Sequence, residues 1–374
     1  MLSLFRFMFR KHIFALIAVL LLSGVVLAQD IVSDACAELV LKALQMVEAV
    51  CADLDGNHVC YASEPVEFES IPTFVPQLQK AGDRAPLPTL ISLHSSPVNV
   101  KDNEWGIAVL SFQADEAATT GSTRILVLGD VTISDVANDA GLSFNLATNE
   151  EEPSCAGAAN SVIIRTPDDA GSDLTINGSD LHLEAGTTVV ADSIPDKRMR
   201  FLVVTGSLSV TAQSETQDVA VGKKTVVKLG GTTGLEIQSA PSEADDYDTA
   251  LLQFLPFHLL SQVIEIPSEE RWTDTGIELE AGQSFIVIGS ELVKTYEDLP
   301  WSSPDGHSPA DCSAAGRTDW DCKCRTLPEW GTCTIDELAS MKMVGKIGDE
   351  TPFEVGTGGI FVAESDGVLS LGTN

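Results

Sequence analysis

The run Leu183-Glu184-Ala185-Gly186-Thr187-Thr188-Val189-Val190, followed by Val203-Val204-Thr205-Gly206-Ser207-Leu208-Ser209-Val210, decides the fold class. Short β-branched stretches stand on either side of Gly-Thr and Gly-Ser turns, and none is long enough to show a helical period. The same rhythm fills Ser161 to Gln238, in Val162-Ile163-Ile164, Leu174-Thr175-Ile176, Phe201-Leu202-Val203-Val204 and Thr225-Val226-Val227. Closely spaced strands with turn residues between them predict a compact all-β unit, a roll or a sandwich. Asn177-Gly178-Ser179 matches a glycosylation acceptor, but Asn-Gly between two short strands reads first as a tight turn.

Strand signals extend upstream of this unit. Gly106 to Phe112, Thr123 to Gly129 and Val131 to Ile133 read as strands, with a hairpin connection between the first two. Pro65 to Leu93 is punctuated by five prolines and reads as irregular surface chain. Asp34 to Ala52 carries Cys36, Leu39, Val40, Ala43, Leu44, Val47 and Cys51 at steps of three and four, which predicts one apolar helix face. The cluster Asp53-Leu54-Asp55-Gly56-Asn57 follows as a plain turn, since it lacks the alternating ligands and terminal Glu of a calcium loop.

Met1 to Ala28 has Arg6, Arg10 and Lys11 before an apolar core and Val26-Leu27-Ala28 at a small-residue cleavage pattern, so a secretory signal is expected. The net charge of -33 becomes -36 without those three basic residues. Such a surface repels phosphate backbones and anionic membranes, which excludes nucleic acid as a partner, and no stable membrane span is expected. A soluble exterior is the plain reading of the acid excess; divalent-cation binding by loop carboxylates comes second. The expected place is outside the cell or on its surface.

Eight cysteines, an even number, point to disulfides in an exported chain. They are Cys36, Cys51, Cys60, Cys155, Cys312, Cys322, Cys324 and Cys333. The single residue between Cys322 and Cys324, with no His at ligand spacing, argues against zinc. A Cys51–Cys60 bridge would close the turn between them, although sequence leaves the pairing open.

Residues 161–238 resemble the FecR-like β-domains of bacterial envelope proteins, through the two runs quoted first and Val221-Gly222-Lys223-Lys224. That resemblance implies relay or scaffolding without chemistry. The layout also resembles multi-module exported proteins of Chloroflexi-like filamentous bacteria, with Asn57-His58-Val59-Cys60-Tyr61 ahead of the β modules.

Trp272 to Leu279, Ala281 to Ile288, Trp301-Ser302-Ser303-Pro304-Asp305-Gly306, Lys342 to Gly348, Phe353 to Gly356 and Asp366 to Gly372 resemble, in order, the LecA-type galactophilic lectins. That resemblance implies a calcium-dependent, sugar-binding β-sandwich. By it, Tyr296 and Asn374 are the calcium-ligand candidates, and Tyr296, Trp301, His307 and Asn374 the sugar-site candidates. Asn374 stands where the family's Asn-Asp pair would begin, so a calcium site would have to borrow Asp298, Asp305 or another chain, and a sandwich without its final strand would leave an unpaired edge.

The expected organisation is a signal (1–28), a cysteine-bearing helix with a β region (29–150), the FecR-like domain (155–240), a helical linker (245–267) and the lectin-like module (268–374). No His-Glu-x-x-His helix, Gly-x-Ser-x-Gly elbow or phosphate-cradling loop is present, so no enzyme is expected. Two readings follow. One is a secreted or cell-surface binding protein for carbohydrate; the other is a structural or assembly protein of the envelope, with protein contacts or self-association and no sugar binding.

Overall fold

The structure, a computed structural model, describes residues 38–40, 42–71, 78–113, 121–137, 141–150, 158–248, 252, 255–256, 259, 264, 266–267, 271–289, 305–306, 335, 338–339, 342–356 and 358–374. Among the described residues it is mainly β, as the strand signals predict, with one short α-helix, α1, over 38–40 and 42–51. The signal-like segment, six of the eight cysteines, Tyr296, Trp301, His307 and Asp298 lie outside the described residues.

The first eight strands are β1 (His58–Ser63), β2 (Val66–Ser70), β3 (Arg84–Pro86), β4 (Leu90–Ser95), β5 (Ile107–Phe112), β6 (Thr123–Leu128), β7 (Val131–Ala137) and β8 (Leu142–Thr148). Next come β9 (Ser161–Arg165), β10 (Ser172–Ile176), β11 (Ser179–Leu183), β12 (Thr188–Ile194), β13 (Arg198–Thr205), β14 (Ser207–Ala212), β15 (Glu215–Ala220), β16 (Lys223–Gly230), β17 (Glu236–Ile237) and β18 (Asp245–Asp246). They form two sheets. The first has the order β17-β16-β13-β12-β9-β6-β5-β1-β3, with β18 also on β16; the second has the order β15-β14-β11-β10-β8-β7-β4-β2.

The boundary expected near 150–155 does not separate two cores. β6 pairs with β9 across it in the first sheet, and β8 pairs parallel with β10 across it in the second. One apolar cluster fills the space between the sheets, from Val59 and Leu93 through Phe144 and Phe201 to Leu229. The proline-rich stretch also contributes strands, β2, β3 and β4, at the ends of the two sheets.

The two sheets differ in sequence because they differ in what covers them. β5 is buried at all six positions. Ala108, Leu110 and Phe112 face the inter-sheet core, while Ile107 and Val109 join a second cluster on the outer side. That outer side is covered by α1, whose Leu39, Ala43, Leu44 and Val47 pack there beside Tyr247 and Leu252. A strand covered on both faces reads as a continuous apolar run; one covered on a single face alternates. β8 and β11 in the second sheet alternate buried with less buried residues at every step.

α1 is fastened at its C-terminal end. The Cys51–Cys60 disulfide, with Cα atoms 6.0 Å apart, ties it to β1. The last carbonyls of a helix have no partners within it. Here Arg84 donates to the carbonyls of Val50 (2.9 Å) and Asp53 (2.8 Å), and Arg124 donates to that of Ala52 (2.6 Å). Beyond the helix the turn ends in Asn57, at φ 56°, whose side-chain amide exchanges two 3.0 Å hydrogen bonds with the backbone of Gln113.

In the expected helical linker, the described residues show β18 and two single turns, Leu255 N–H to Leu252 and Leu259 N–H to Pro256. Leu252 is fully buried against the α1 side of the first sheet. The C-terminal part holds β19 (Thr273–Leu279), β20 (Ser284–Ile288), β21 (Met343–Ile347), β22 (Phe353–Glu354), β23 (Gly358–Val362) and β24 (Gly367–Thr373). They form a sheet in the order β19-β24-β21-β22 and a separate β20-β23 pair. β24 therefore lies inside its sheet, with β19 and β21 on its two sides. Phe285, Phe353 and Phe361 pack together in the core of this part, with ring centroids 5.0–6.3 Å apart.

Candidate functional site

The Asn177-Gly178 turn organises an exposed polar face on the second sheet. Asn177 and Gly178 both take positive φ, 51° and 78°, which a two-residue hairpin with the sheet's natural twist requires. This turn sets the β10–β11 register, so Asp173 faces His182 and Thr175 faces Asp180. Leu174, Ile176, Leu181 and Leu183 point into the core, which puts the polar residues outward. β11 then pairs with β14, and β14 with β15, so two rows of four polar side chains cross four strands. One row is Asp173, His182, Ser209 and Asp218; the other is Thr175, Asp180, Thr211 and Thr216.

Within the rows the side chains hold one another. His182 Nδ1 lies 2.6 Å from Asp173, and its Nε2 lies 3.5 Å from Glu184. The hydrogen bond to Asp173 comes first among the causes that raise the His182 pKa above the usual histidine value; the nearby charges of Asp173 and Glu184 add to it, and slight burial opposes it. Ser209 donates to Asp218 at 2.6 Å, Thr175 donates to Asp180 at 2.9 Å, and the Thr211 and Thr216 hydroxyls share a 2.8 Å bond. Beside them a shallow depression of ≈ 500 Å³ opens, with Ala137, Gly141, Ser143, Asp173, Thr175 and His182 among its lining. It lies where β7 departs from regular pairing between Ser134 and Ala137. Cross-strand pairs of this kind contribute about 0.2–1 kcal/mol each, and the sheet register sets the pattern of carboxylates and hydroxyls on this face.

The pattern continues across the sheet. Ser92 donates to Glu69 at 3.2 Å, and His94 Nδ1 lies 3.0 Å from the Thr132 hydroxyl. The outward positions of these strands carry mainly Glu, Asp, Ser, Thr, Asn and His, with Ala147 and Ala220 among them, and no Phe, Tyr or Trp.

Asn177 itself is turned away from solvent. Its Oδ1 accepts the Leu146 N–H at 2.8 Å, and its Nδ2 donates to the Leu146 carbonyl at 2.9 Å and to Ser193 Oγ at 2.8 Å. The side-chain amide thus pairs with Leu146 as a strand residue would, and reaches the opposite sheet through Ser193. Both amide hydrogens are used and the residue is 5% exposed, so the folded chain offers no acceptor nitrogen to a glycosyl donor.

Of the residues implied by the lectin resemblance, Asn374 and Asp305 are described. Asn374 Oδ1 accepts the Ile335 N–H at 2.7 Å, its Nδ2 lies 3.4 Å from the carbonyls of Leu338 and Ala339, and its own N–H donates to Lys342. Its side-chain amide is committed to the backbone of Ile335, Leu338 and Ala339. Asp305 lies against Gly356, and the Lys342 ammonium pairs with Glu354 nearby. Calcium asks for about six to eight oxygens. An amide already bonded and a resident ammonium are a poor start for such a set, and among the described residues no three His, Cys, Asp or Glu side chains gather as a metal would need.

No family model and no curated protein matches the chain. Two solved structures of a proposed anti-sigma factor from Parabacteroides distasonis, at 1.65 Å and 2.50 Å resolution, overlap 39% of this chain. Identities are 13% and 14%, and TM-scores 0.25 and 0.24. The overlap covers 60% and 65% of those chains, under two thirds of their length. Similarity at that level has no bearing on function. Among the described residues, no helix is long and apolar enough to cross a membrane.

Sequence reasoning placed no functional residue on the outer face of β10, β11, β14 and β15. The hairpin half was available: a two-residue turn at 177–178 forces the 173–182 and 175–180 pairs. The β11–β14 pairing, which doubles each row, has no such local signal.

Proposed function

We propose that the chain is a non-catalytic binding protein of the cell exterior that works by surface recognition. One observation carries this reading: among the described residues, the outer face of the second sheet bears exposed polar side chains in register across four strands. Export rests on the signal-like segment and the cysteine usage.

Two ligand classes are in play. The resemblance of 268–374 to galactophilic lectins suggests carbohydrate, with calcium as its ion. The open face favours protein instead, because sugar sites rely on aromatic rings to stack against and this face has none. The assembly reading is therefore kept beside the carbohydrate reading.

The chain from Gln29 onward, melted with calcium and with chelator and run on a glycan array, separates them. A ligand at a hundred times its dissociation constant stabilises the native state by about 2.7 kcal/mol, a visible displacement of the melt. A calcium shift with galactose-type hits supports the lectin reading. No shift and no hits removes it and leaves the protein-contact reading.

A further inference from the structure

We infer that the free edge of the second sheet, at β15, takes an extended cationic segment of another protein as an added strand. The inference rests on the reading of the second sheet as a recognition surface, and it names the partner's chemistry and the place where it docks.

β15 ends the second sheet, with β14 on one side. The turn at Gln213 and Ser214, both at positive φ (51° and 65°), closes a two-residue hairpin that holds β15 in register with β14 from Glu215 to Ala220. Among the described residues, no backbone–backbone hydrogen bond beyond that ladder reaches 215–220. The Asp218 carbonyl accepts from the strand's own Gln217 side chain, at 2.7 Å. A strand edge with unmet N–H and C=O groups is a template for one more strand.

The side chains of β15 specify which strand. Thr216 and Asp218 end the two polar rows on the outer side, and both are exposed, as is Glu215. Val219 points the other way and is buried in the inter-sheet core. Ile237 of β17, which ends the first sheet, packs half-buried against the same core. A strand added to β15 alternates in the same sense. Its outer residues continue the polar rows beside Thr216 and Asp218, and its inner residues cover the apolar end of the core beside Val219.

Charge selects the outer residues. The eight strands of the second sheet carry Asp and Glu and no Lys or Arg. Asp218 accepts from the Ser209 hydroxyl, a neutral donor, so an incoming cation adds a charge-assisted bond. Lys223 and Lys224, past the turn that follows β15, already face Asp246 and Asp245. The segment that fits therefore alternates Lys or Arg with apolar residues. A second copy of this chain is a poor source of it. Among the described residues, the strands with two or more cations, β13 and β16, lie inside the first sheet. Pairing β15 with β15 of another copy would set Glu215 and Asp218 of both along one seam, where like charges repel.

Fluorescence anisotropy at about 0.15 M salt tests this, with the chain from Gln29 and labelled peptides long enough to span the six residues of β15. One peptide alternates Lys with Val. A second has Pro in place of each Val, which keeps the charge and removes N–H groups and the strand conformation. The Lys-Val peptide should bind, and the Lys-Pro peptide should bind at least about tenfold more weakly. Glu215→Lys/Asp218→Lys should weaken Lys-Val binding at least about tenfold. Glu38→Lys/Glu48→Lys makes the same change in net charge at exposed positions of α1, on the outer side of the first sheet, and should change it less than about threefold. Melting curves confirm that both variants fold, and the two-peptide comparison on the wild type needs neither. No binding of the Lys-Val peptide overturns the inference. So does equal binding of the Lys-Pro peptide, which would be charge attraction alone, or a reversal at β15 that costs no more than the one on α1. Glycan hits of the wild type without Lys-Val binding overturn the inference while keeping the recognition reading.

Discussion

Replacing Asn177 tests the joint that sets the open face. Asn177→Ala removes the acceptor of the Leu146 N–H and the donor to both the Leu146 carbonyl and Ser193 Oγ. Three neutral hydrogen bonds in a buried setting contribute about 1 kcal/mol each. Alanine must also hold a left-handed backbone, at φ 51°, at a cost of about 1–2 kcal/mol. The expected loss is therefore roughly 4–5 kcal/mol. Asn177→Gly loses the same bonds without that backbone strain and should fall about 1–2 kcal/mol short of the alanine loss. Urea unfolding of both variants, with unchanged slope, gives the two numbers directly. An alanine variant within about 1 kcal/mol of wild type would refute the account of Asn177 as a surrogate strand residue.

Three further outcomes follow from named contacts. Cys51→Ser/Cys60→Ser frees a loop of about ten residues and should cost about 2.7 kcal/mol in a non-reducing urea melt, by the loop-entropy relation. Arg84→Ala and Arg124→Ala each strip carbonyl partners from the end of α1. Each should cost about 1 kcal/mol and speed hydrogen exchange in 38–51 before the sheets respond. For His182 the folded pKa is raised, so its contribution to stability is complete below the unfolded value and is lost as pH rises through the folded one. An imidazole NMR titration should show a midpoint above the ordinary histidine range, and Asp173→Asn should lower it. With 56% of the His182 side chain exposed, solvent screens the effect, and the titration rather than the melt is the readout.

Local features carried much of the fold. The i, i+3 and i+4 spacing from Leu39 to Val47 placed one face of α1, and that face is the one buried. The turn at 53–57, the Asn-Gly hairpin and the Cys51–Cys60 bridge each follow from residues close in sequence. The lectin-derived candidates fared differently. Tyr296, Trp301 and His307 lie outside the described residues, and the Asn374 side chain is bonded to the backbone of Ile335. A resemblance fixes where a residue stands in a pattern, and it does not fix which neighbours claim its polar atoms.

The prolines of 65–93 read as irregular chain, yet the segment supplies strands to both sheets. Pro65 precedes β2, and Pro86 closes β3, which sits at the edge of its sheet. Edge and end positions tolerate a missing N–H, so proline content alone could not decide the matter.

By itself the sequence determined the β class, the apolar face of α1, and the hairpins whose turns carry their own dihedral preference. These are local properties, written in short apolar periods and in residues that accept positive φ. The tertiary structure alone decided that β6 meets β9, that β8 lies parallel to β10 and that β11 meets β14. Each of those pairings joins segments separated by many residues, and it is selected by how well whole faces bury together. The two polar rows exist only because those distant choices were made.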